Sequence, residues 1–162
     1  MWGGREFTAI IAIDPLDAAR ARAPEFGADA ALDPRAPDFA QRIGELTRNR
    51  GLDVALDFVG APPTVSQAEA SLTRFGRLVI VGSTTAPLEL PSSRDLVRRQ
   101  PVIRGHLGYF SRHLRALVGL VHSRRLDLSR SITDLLDFDE VAEGVRRLDQ
   151  KLGNPIRLVI RV

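Results

Sequence analysis

The sequence Leu52-Asp-Val-Ala-Leu-Asp-Phe-Val-Gly60, in a chain of 162 residues, predicts one strand of a sheet. Turn residues flank it, which indicates a strand, and the nearly continuous apolar run Thr8–Asp14 earlier in the chain is typical of a buried parallel strand. Helical segments precede and follow the stretch 52–60, and further apolar runs lie on both sides of it in the sequence. Strands that alternate with helices in this way indicate βαβ units. We therefore predict one α/β domain with a doubly wound, mostly parallel sheet.

Further helices and strands are predicted before and after that stretch. The helix from Ser111 to about Arg124 is expected to bury its apolar face, which carries Leu114, Leu117, Val118 and Val121. Residues 86–91 lie between prolines and predict an exposed edge segment. The further predicted strands are Thr8–Asp14, Ala30–Leu32, Arg77–Gly82, Val102–Gly105 and Arg157–Val162. The further predicted helices are Asp17–Phe26 and Val65–Thr73, a helix between them that presents Phe39, Ile43 and Leu46 on one face, and a helix that begins with Asp139 as its N-cap and presents Val141, Val145 and Leu148.

Composition excludes several classes of function. The 23 basic and 20 acidic residues are interspersed, which indicates solvated helix surfaces rather than a nucleic-acid-binding surface. The chain has no cysteine, so it has no disulfide, thiolate nucleophile or cysteine zinc site, and its three histidines do not form a metal-ligand cluster. The apolar runs are too short to span a bilayer, and the N-terminus lacks a secretory pattern. We expect a cytoplasmic protein with no membrane partner.

The carboxyl ends of the predicted strands carry the candidate binding residues, because ligands of doubly wound sheets lie beyond those ends. The glycines Gly60 and Gly82 either let a flat ligand approach the backbone or simply begin tight turns. Asp14 closes an apolar strand, where its carboxylate either accepts hydrogen bonds from a ribose diol or caps the next helix. The residues alone leave both pairs of alternatives open.

An ordered series of motifs is similar to the medium-chain dehydrogenase/reductase superfamily, the zinc-type alcohol dehydrogenases and their relatives. Each motif alone is weak, but the series has the spacing of that family and extends from about residue 8 to 162. The motifs are the strand ending in Asp14, Glu25-Phe-Gly-Ala-Asp29, Arg50-Gly-Leu-Asp-Val-Ala-Leu-Asp-Phe-Val-Gly60, Arg74-Phe-Gly-Arg-Leu-Val-Ile-Val-Gly82 and Val102-Ile-Arg-Gly105.

The resemblance implies a Rossmann-like fold and a role for particular residues at a nicotinamide dinucleotide. Asp14 matches the acidic residue that binds the adenosine ribose, and its charge favours NAD over NADP. Arg20 lies one residue beyond the family's basic position, where this chain has Ala19, so its contact with ribose or phosphate is left open. Val59 and Gly60 match the backbone stretch that lies against the cofactor's ribose. Gly82, Ser83, His106 and Leu107 match the lining of the nicotinamide, where His106 contributes its backbone, and Arg157 matches an arginine that reaches the pyrophosphate.

The resemblance also implies that residues 1–162 are a partial NAD(P)-binding Rossmann domain. The family's catalytic, GroES-like domain with its zinc ligands is expected to lie outside this sequence, as is the first strand with its G-x-G-x-x-G turn. That strand is central in the usual order 3-2-1-4-5-6. We therefore expect the Asp14 and Leu52 strands to expose apolar faces, and either to pair directly or to be joined by another chain. The strand Arg157–Val162 is expected to lack its partner.

Three functional interpretations follow from the resemblance. The chain is a fragment of an alcohol dehydrogenase-like oxidoreductase with little or no activity alone, or one half of a split enzyme whose catalytic part is a separate chain. Alternatively, it is a non-catalytic binding or dimerisation module that pairs through Leu88-Glu-Leu90. The intact enzyme would transfer hydride between the nicotinamide and an alcohol, aldehyde or ketone.

Overall fold

A computed structural model describes residues 9–89 and 91–162, and these residues form two compact units. Of these described residues, those within 35–110 form the middle unit, and those within 9–34 and 111–162 form the terminal unit. Helices and parallel strands alternate along both, so the predicted α/β class is confirmed. No helix in the described ranges is long and apolar enough to cross a membrane.

The middle unit is a three-stranded parallel sheet in the order β3-β4-β5 with three helices. Its core is formed by Leu78, which is fully buried, together with Val65 and Leu72. Burying one such side chain stabilises the fold by roughly 1.5–3 kcal/mol. Its elements are α2 (Phe39–Thr47), β3 (Leu52–Asp57), α3 (Pro62–Ala70), β4 (Leu72–Ile80), α4 (Ser93–Arg99) and β5 (Val102–Gly105).

The strand β4 starts earlier than the sequence pattern indicates. We predicted that the preceding helix would continue to Thr73, and this is wrong because the chain has already left α3 at Ser71. The carbonyl of Ser71 accepts a hydrogen bond from the Leu52 amide, and Leu72 is buried beside β3. Burial of Leu72 in the sheet therefore outweighs continuation of the helix.

An excursion interrupts the register between β3 and β4. Leu52 pairs with Leu72, but Val54 pairs with Arg77, so residues 73–76 bulge out of β4. Phe75 lies there with a left-handed φ of 63°, and the Arg74 guanidinium stacks on its ring at 4.8 Å from the centroid. From Arg77 onward the pairing is regular on both sides of β4.

The terminal unit contains two separate pairs of parallel strands. Few apolar side chains of this unit are buried. In the middle unit, by comparison, helix α2 buries Phe39 and Ile43, two of its three predicted apolar residues. Its elements are β1 (Ile11–Ile13), α1 (Asp17–Arg22), a 3-10 turn (Ala23–Phe26), β2 (Ala30–Leu32), α5 (Ser111–His122), a 3-10 turn (Ser129–Ser131), β6 (Asp134–Asp137), a 3-10 turn (Phe138–Glu140), α6 (Val141–Asp149) and β7 (Leu158–Arg161).

The last strand, β7, has a partner. It pairs in parallel with β6, so the prediction that it would lack one is wrong. The sequence pattern did not indicate β6, because it has only two adjacent leucines between aspartates, and of these Leu136 is buried while Leu135 is exposed. The cap that follows is Asp137 in a reciprocal capping box with Glu140, rather than Asp139, since the helical turn begins directly after the strand.

The strands β1 and β3 belong to different sheets, so the direct pairing that we predicted as one alternative is wrong. β1 pairs in parallel with β2 through one of its two edges, and among the described residues no strand pairs with its other edge. The expectation of exposed apolar residues on both strands is confirmed: Ile13 is 42% exposed and Leu56 is 57% exposed. The alternative of another chain joining them stays a prediction.

The apolar face of α5 is exposed, which contradicts its predicted burial. None of its residues is buried, although the helix has the bounds and the apolar spacing that the sequence predicts. Amphipathic spacing indicates which face a helix would bury, but burial also requires a complementary surface opposite it. The exposed residues are Leu114, Leu117, Val118 and Val121.

Candidate functional site

The carboxyl ends of β3 and β4 are tied together by one residue, Asp57, which is only 6% exposed. Its carboxylate oxygen Oδ1 accepts hydrogen bonds from the amides of Val59, at 3.0 Å, and Gly60, at 2.5 Å. Its backbone carbonyl accepts hydrogen bonds from the amides of Val81, at 2.7 Å, and Gly82, at 3.1 Å. The last residue of β3 thus holds the turn that follows its own strand and the turn that follows β4.

The two turns are in direct backbone contact through their glycines. Gly60 has a φ of 74°, and a Cβ atom there would lie 2.5 Å from the carbonyl carbon of Gly82. A Cβ atom on Gly82 would lie 2.2 Å from the carbonyl carbon of Val59. The Thr84 hydroxyl adds a hydrogen bond to the Gly60 carbonyl at 3.1 Å. Glycine is therefore required at both positions because the turns touch each other, and the positive φ of Gly60 fits the tight-turn alternative; the approach of a flat ligand stays a prediction.

The carboxyl end of β5 lies next in the same sheet. The His106 amide donates to the Ile80 carbonyl at 2.9 Å, which continues the β4–β5 pairing beyond the strand. The His106 ring lies edge-on to the ring of Phe110, with centroids 6.4 Å apart. Leu107 is 82% exposed, and Val59 and Ser83 are exposed as well. This edge offers rigid backbone beside exposed apolar side chains, a surface that suits a flat and partly apolar ligand.

Charged side chains form the corresponding strand end in the terminal unit. Oδ1 of Asp14 accepts a hydrogen bond from the Leu16 amide at 2.8 Å, so this carboxylate orders the turn that leads into α1. The Arg20 guanidinium donates to the Asp14 carbonyl at 2.7 Å and also contacts the carboxylates of Asp17 and Asp33. Arg20 is thus engaged by its own unit.

The remaining predicted residue, Arg157, lies just before β7 rather than at its carboxyl end. Its guanidinium donates to the Ser131 hydroxyl at 2.8 Å, and its carbonyl accepts from the Thr133 amide. No group of three or more histidine, aspartate or glutamate side chains in residues 9–89 and 91–162 could hold a metal ion.

The sequence profile of the zinc-binding dehydrogenases matches residues 4–123, which is most of the chain. The chain belongs to the zinc-binding dehydrogenase family. This confirms the resemblance on which the sequence analysis rested.

Curated relatives of this zinc-binding dehydrogenase chain are alcohol dehydrogenase-like proteins. It is 24% identical over 155 residues to an uncharacterized zinc-type alcohol dehydrogenase-like protein of Escherichia coli, a match that covers 96% of the chain and 44% of that protein. It is 28% identical over 140 residues to L-threonine 3-dehydrogenase of Pyrococcus horikoshii, covering 83% of the chain and 39% of that protein. The chain therefore spans about two fifths of the length of these relatives.

Solved structures of the family share the fold. Alcohol dehydrogenase from Thermus sp. ATN1 superposes with a TM-score of 0.87 at 26% identity, over 96% of the chain and 44% of that structure. The 2R,3R-butanediol dehydrogenase of Bacillus subtilis gives a TM-score of 0.82 at 26% identity, over 94% of the chain and 43% of that structure. The Rossmann-like class predicted for this zinc-binding dehydrogenase chain is confirmed.

The structure brings together those predicted site residues that lie in the middle unit. Val59, Gly60, Gly82 and Ser83 form the two touching turns, and His106 begins the neighbouring strand end. Sequence reasoning missed Asp57 and Thr84. The apolar run 52–59 contains two carboxylates, Asp53 and Asp57, and the sequence alone does not indicate which of them is buried and must find hydrogen-bond donors.

Proposed function

We propose that this chain supplies part of the nicotinamide-dinucleotide site of an alcohol dehydrogenase-like oxidoreductase. The observation that carries the proposal is the pair of touching turns, Val59–Gly60 and Gly82–Ser83, at the carboxyl edge of the sheet. This is the edge at which doubly wound sheets bind their ligands. Backbone held in a fixed position and exposed apolar side chains fit the flat nicotinamide and its ribose. The nicotinamide supplies the hydride chemistry when it is bound.

In the intact enzyme the reaction is hydride transfer between NAD(H) and an alcohol, aldehyde or ketone. We expect little or no turnover by residues 1–162 alone, because they correspond to about two fifths of their relatives. Any zinc, and the groups that would hold the substrate, are expected to come from the corresponding remainder, in the same polypeptide or in a separate chain. NAD is favoured over NADP because the negative charge of Asp14 would repel a 2′-phosphate.

A titration followed by amide NMR tests this proposal. NADH should shift the amides of Val59, Gly60, Gly82 and Ser83 in a saturable way at millimolar concentration, and NADPH should shift them less. In the Asp14→Ala variant, the amide shifts produced by NADH and by NADPH should differ less than they do in the wild type. The matched control is Asp149→Ala, an exposed aspartate of the same unit; it should leave the difference unchanged. Unsaturable shifts, or shifts confined to the amino ends of the strands, would contradict the proposal.

Dimerisation is a second candidate role, favoured by the 41% exposure of Leu88. The predicted edge is Leu88–Leu90, of which Leu90 lies outside the described residues. An isologous pairing of this edge across a two-fold axis would bury Leu88. Sedimentation of the wild type and of Leu88→Glu tests the idea. An unchanged oligomeric state would count against it.

A further inference from the structure

We propose that Asp57 is a positioning residue of this site, which accepts hydrogen bonds from amides of both touching turns and so holds the backbone of those turns in the geometry that a dinucleotide needs. The inference rests on the proposed function, because it names the residue that organises the same edge. Asp57 would act through Val59, Gly60 and Gly82 rather than by touching the cofactor.

The burial of Asp57 requires an explanation. Removing a carboxylate from water costs several kcal/mol unless it receives hydrogen bonds. In the described part of the chain, the donors to its carboxylate are the amides of Val59 and Gly60. Asp53, on the same strand, is 71% exposed and lies 3.7 Å from the Arg50 guanidinium. The strand therefore keeps one aspartate in solvent and buries the other where it orders the turn.

The same residue acts on the neighbouring turn through its carbonyl. The amides of Val81 and Gly82 both donate to that oxygen, so the position of Gly82 depends on the backbone of Asp57. The contact between Gly60 and Gly82 leaves no room for a side chain, so a shift of either turn must displace the other. Loss of the Asp57 carboxylate should therefore displace Gly82, although the carboxylate does not contact Gly82.

The substitutions Asp57→Asn and Asp57→Ala separate positioning from simple stabilisation. Asparagine keeps an acceptor oxygen for the two amides but adds an N–H donor, whereas alanine removes the acceptor. We expect the dissociation constant for NADH to rise about tenfold in Asp57→Ala and about threefold in Asp57→Asn, which corresponds to the loss of one or part of one hydrogen bond. The matched control, Asp53→Asn, should stay within about twofold of the wild type, since that side chain lies in solvent.

A second measurement keeps the test decisive if Asp57→Ala does not fold. The Gly60 amide, which donates to a carboxylate, should resonate at unusually low field in the wild type and move upfield in Asp57→Asn without any cofactor. The Gly82 amide should move with it, and Asp53→Asn should leave both in place.

The failure of this inference is distinguishable from that of the proposed function. If the wild type does not bind NADH saturably, the proposed function fails and the positioning role fails with it. If the wild type binds and Asp57→Asn loses stability while its affinity for NADH and its Gly82 amide stay unchanged, the positioning role alone is overturned.

Discussion

The strand ends of the middle unit and of the terminal unit are built from different interactions. In the middle unit, the turns after β3 and β4 touch through glycine backbone and are held by a buried carboxylate. In the terminal unit, the turn after β1 is held by Arg20 and by carboxylates that reach solvent. Contacts of the first kind cannot relax when a residue is changed, whereas contacts of the second kind can be replaced by water.

The same difference extends to the cores of the two units. The middle unit buries five apolar side chains and the terminal unit two, while the β6–β7 pair of the terminal unit is also bridged by the ion pair between Arg161 and Asp137. We therefore expect substitutions in the middle unit to have the larger effects. The buried apolar residues are Phe39, Ile43, Val65, Leu72 and Leu78 in the middle unit, and Leu32 and Leu136 in the terminal unit.

The largest expected effect is that of Gly82→Ala. The new methyl group would meet backbone atoms of Val59 and Gly60 at 2.5 Å or less, and backbone cannot rotate away as a side chain can. We expect the free energy of unfolding to fall by about 3 kcal/mol or more, measured by urea denaturation.

The control for that substitution is Gly105→Ala at the end of the neighbouring strand. A Cβ atom on Gly105 would have no atom within 4 Å, so the free energy of unfolding should change by no more than about 0.5 kcal/mol. Equal effects at Gly82 and Gly105 would show that the contact between the turns does not contribute to stability.

A smaller effect is expected for Arg20→Ala in the terminal unit. The substitution removes the guanidinium, and with it the hydrogen bond to the Asp14 carbonyl and the ion pairs. The carbonyl and the carboxylates that lose this partner are accessible to water. We expect a loss of about 1 kcal/mol that diminishes in high salt. Arg50→Ala, which removes only the exposed 3.7 Å pair with Asp53, should have no measurable effect. A loss for Arg20→Ala as large as that for Gly82→Ala would remove the proposed difference between the two strand ends.

The smallest effect is a pH dependence at the β6–β7 pair. The hydrogen bond from Arg147, and then that from the Leu135 amide, hold the pKa of Asp134 below its ordinary value of 3.8. A lowered folded-state pKa means that this contribution to stability is complete above pH 3.8 and is lost as the pH falls through the folded-state pKa. The Leu135 amide shift should therefore titrate below pH 3.8 in the wild type. In Arg147→Ala its midpoint should move up, and in Asp134→Asn the titration should disappear; an unmoved midpoint in Arg147→Ala would exclude Arg147 as the main cause.

Apolar runs bounded by turn residues were sufficient to predict most of the strands. β2 and β5 have the predicted bounds, and β3 begins at the predicted residue. The pattern could not identify β6, since two adjacent leucines indicate neither strand nor helix. Nor could it predict the exposure of α5, because the periodicity of one helix contains no information about the surface opposite it.

The sequence placed Gly60 and Gly82 at strand ends, but it did not indicate Asp57 or the contact between the turns; cofactor binding at these residues stays a prediction. Gly60 and Gly82 follow from the rule that ligands lie beyond strand ends, yet the structure gives the contact between the two turns as the reason for glycine. The role of Asp57 could not be deduced from local sequence, because its burial depends on β4 lying alongside. Asp53 and Asp57 belong to one strand and differ in whether the neighbouring structure encloses them.

The excursion at residues 73–76 has a consequence for variation among homologues and for protein engineering. Because pairing on both sides of β4 is regular from Arg77 onward, the polypeptide can gain or lose length before that residue without displacing Gly82. A short peptide tag inserted between Arg74 and Phe75 should therefore leave the turn at Gly82, at the carboxyl end of the same strand, in its place.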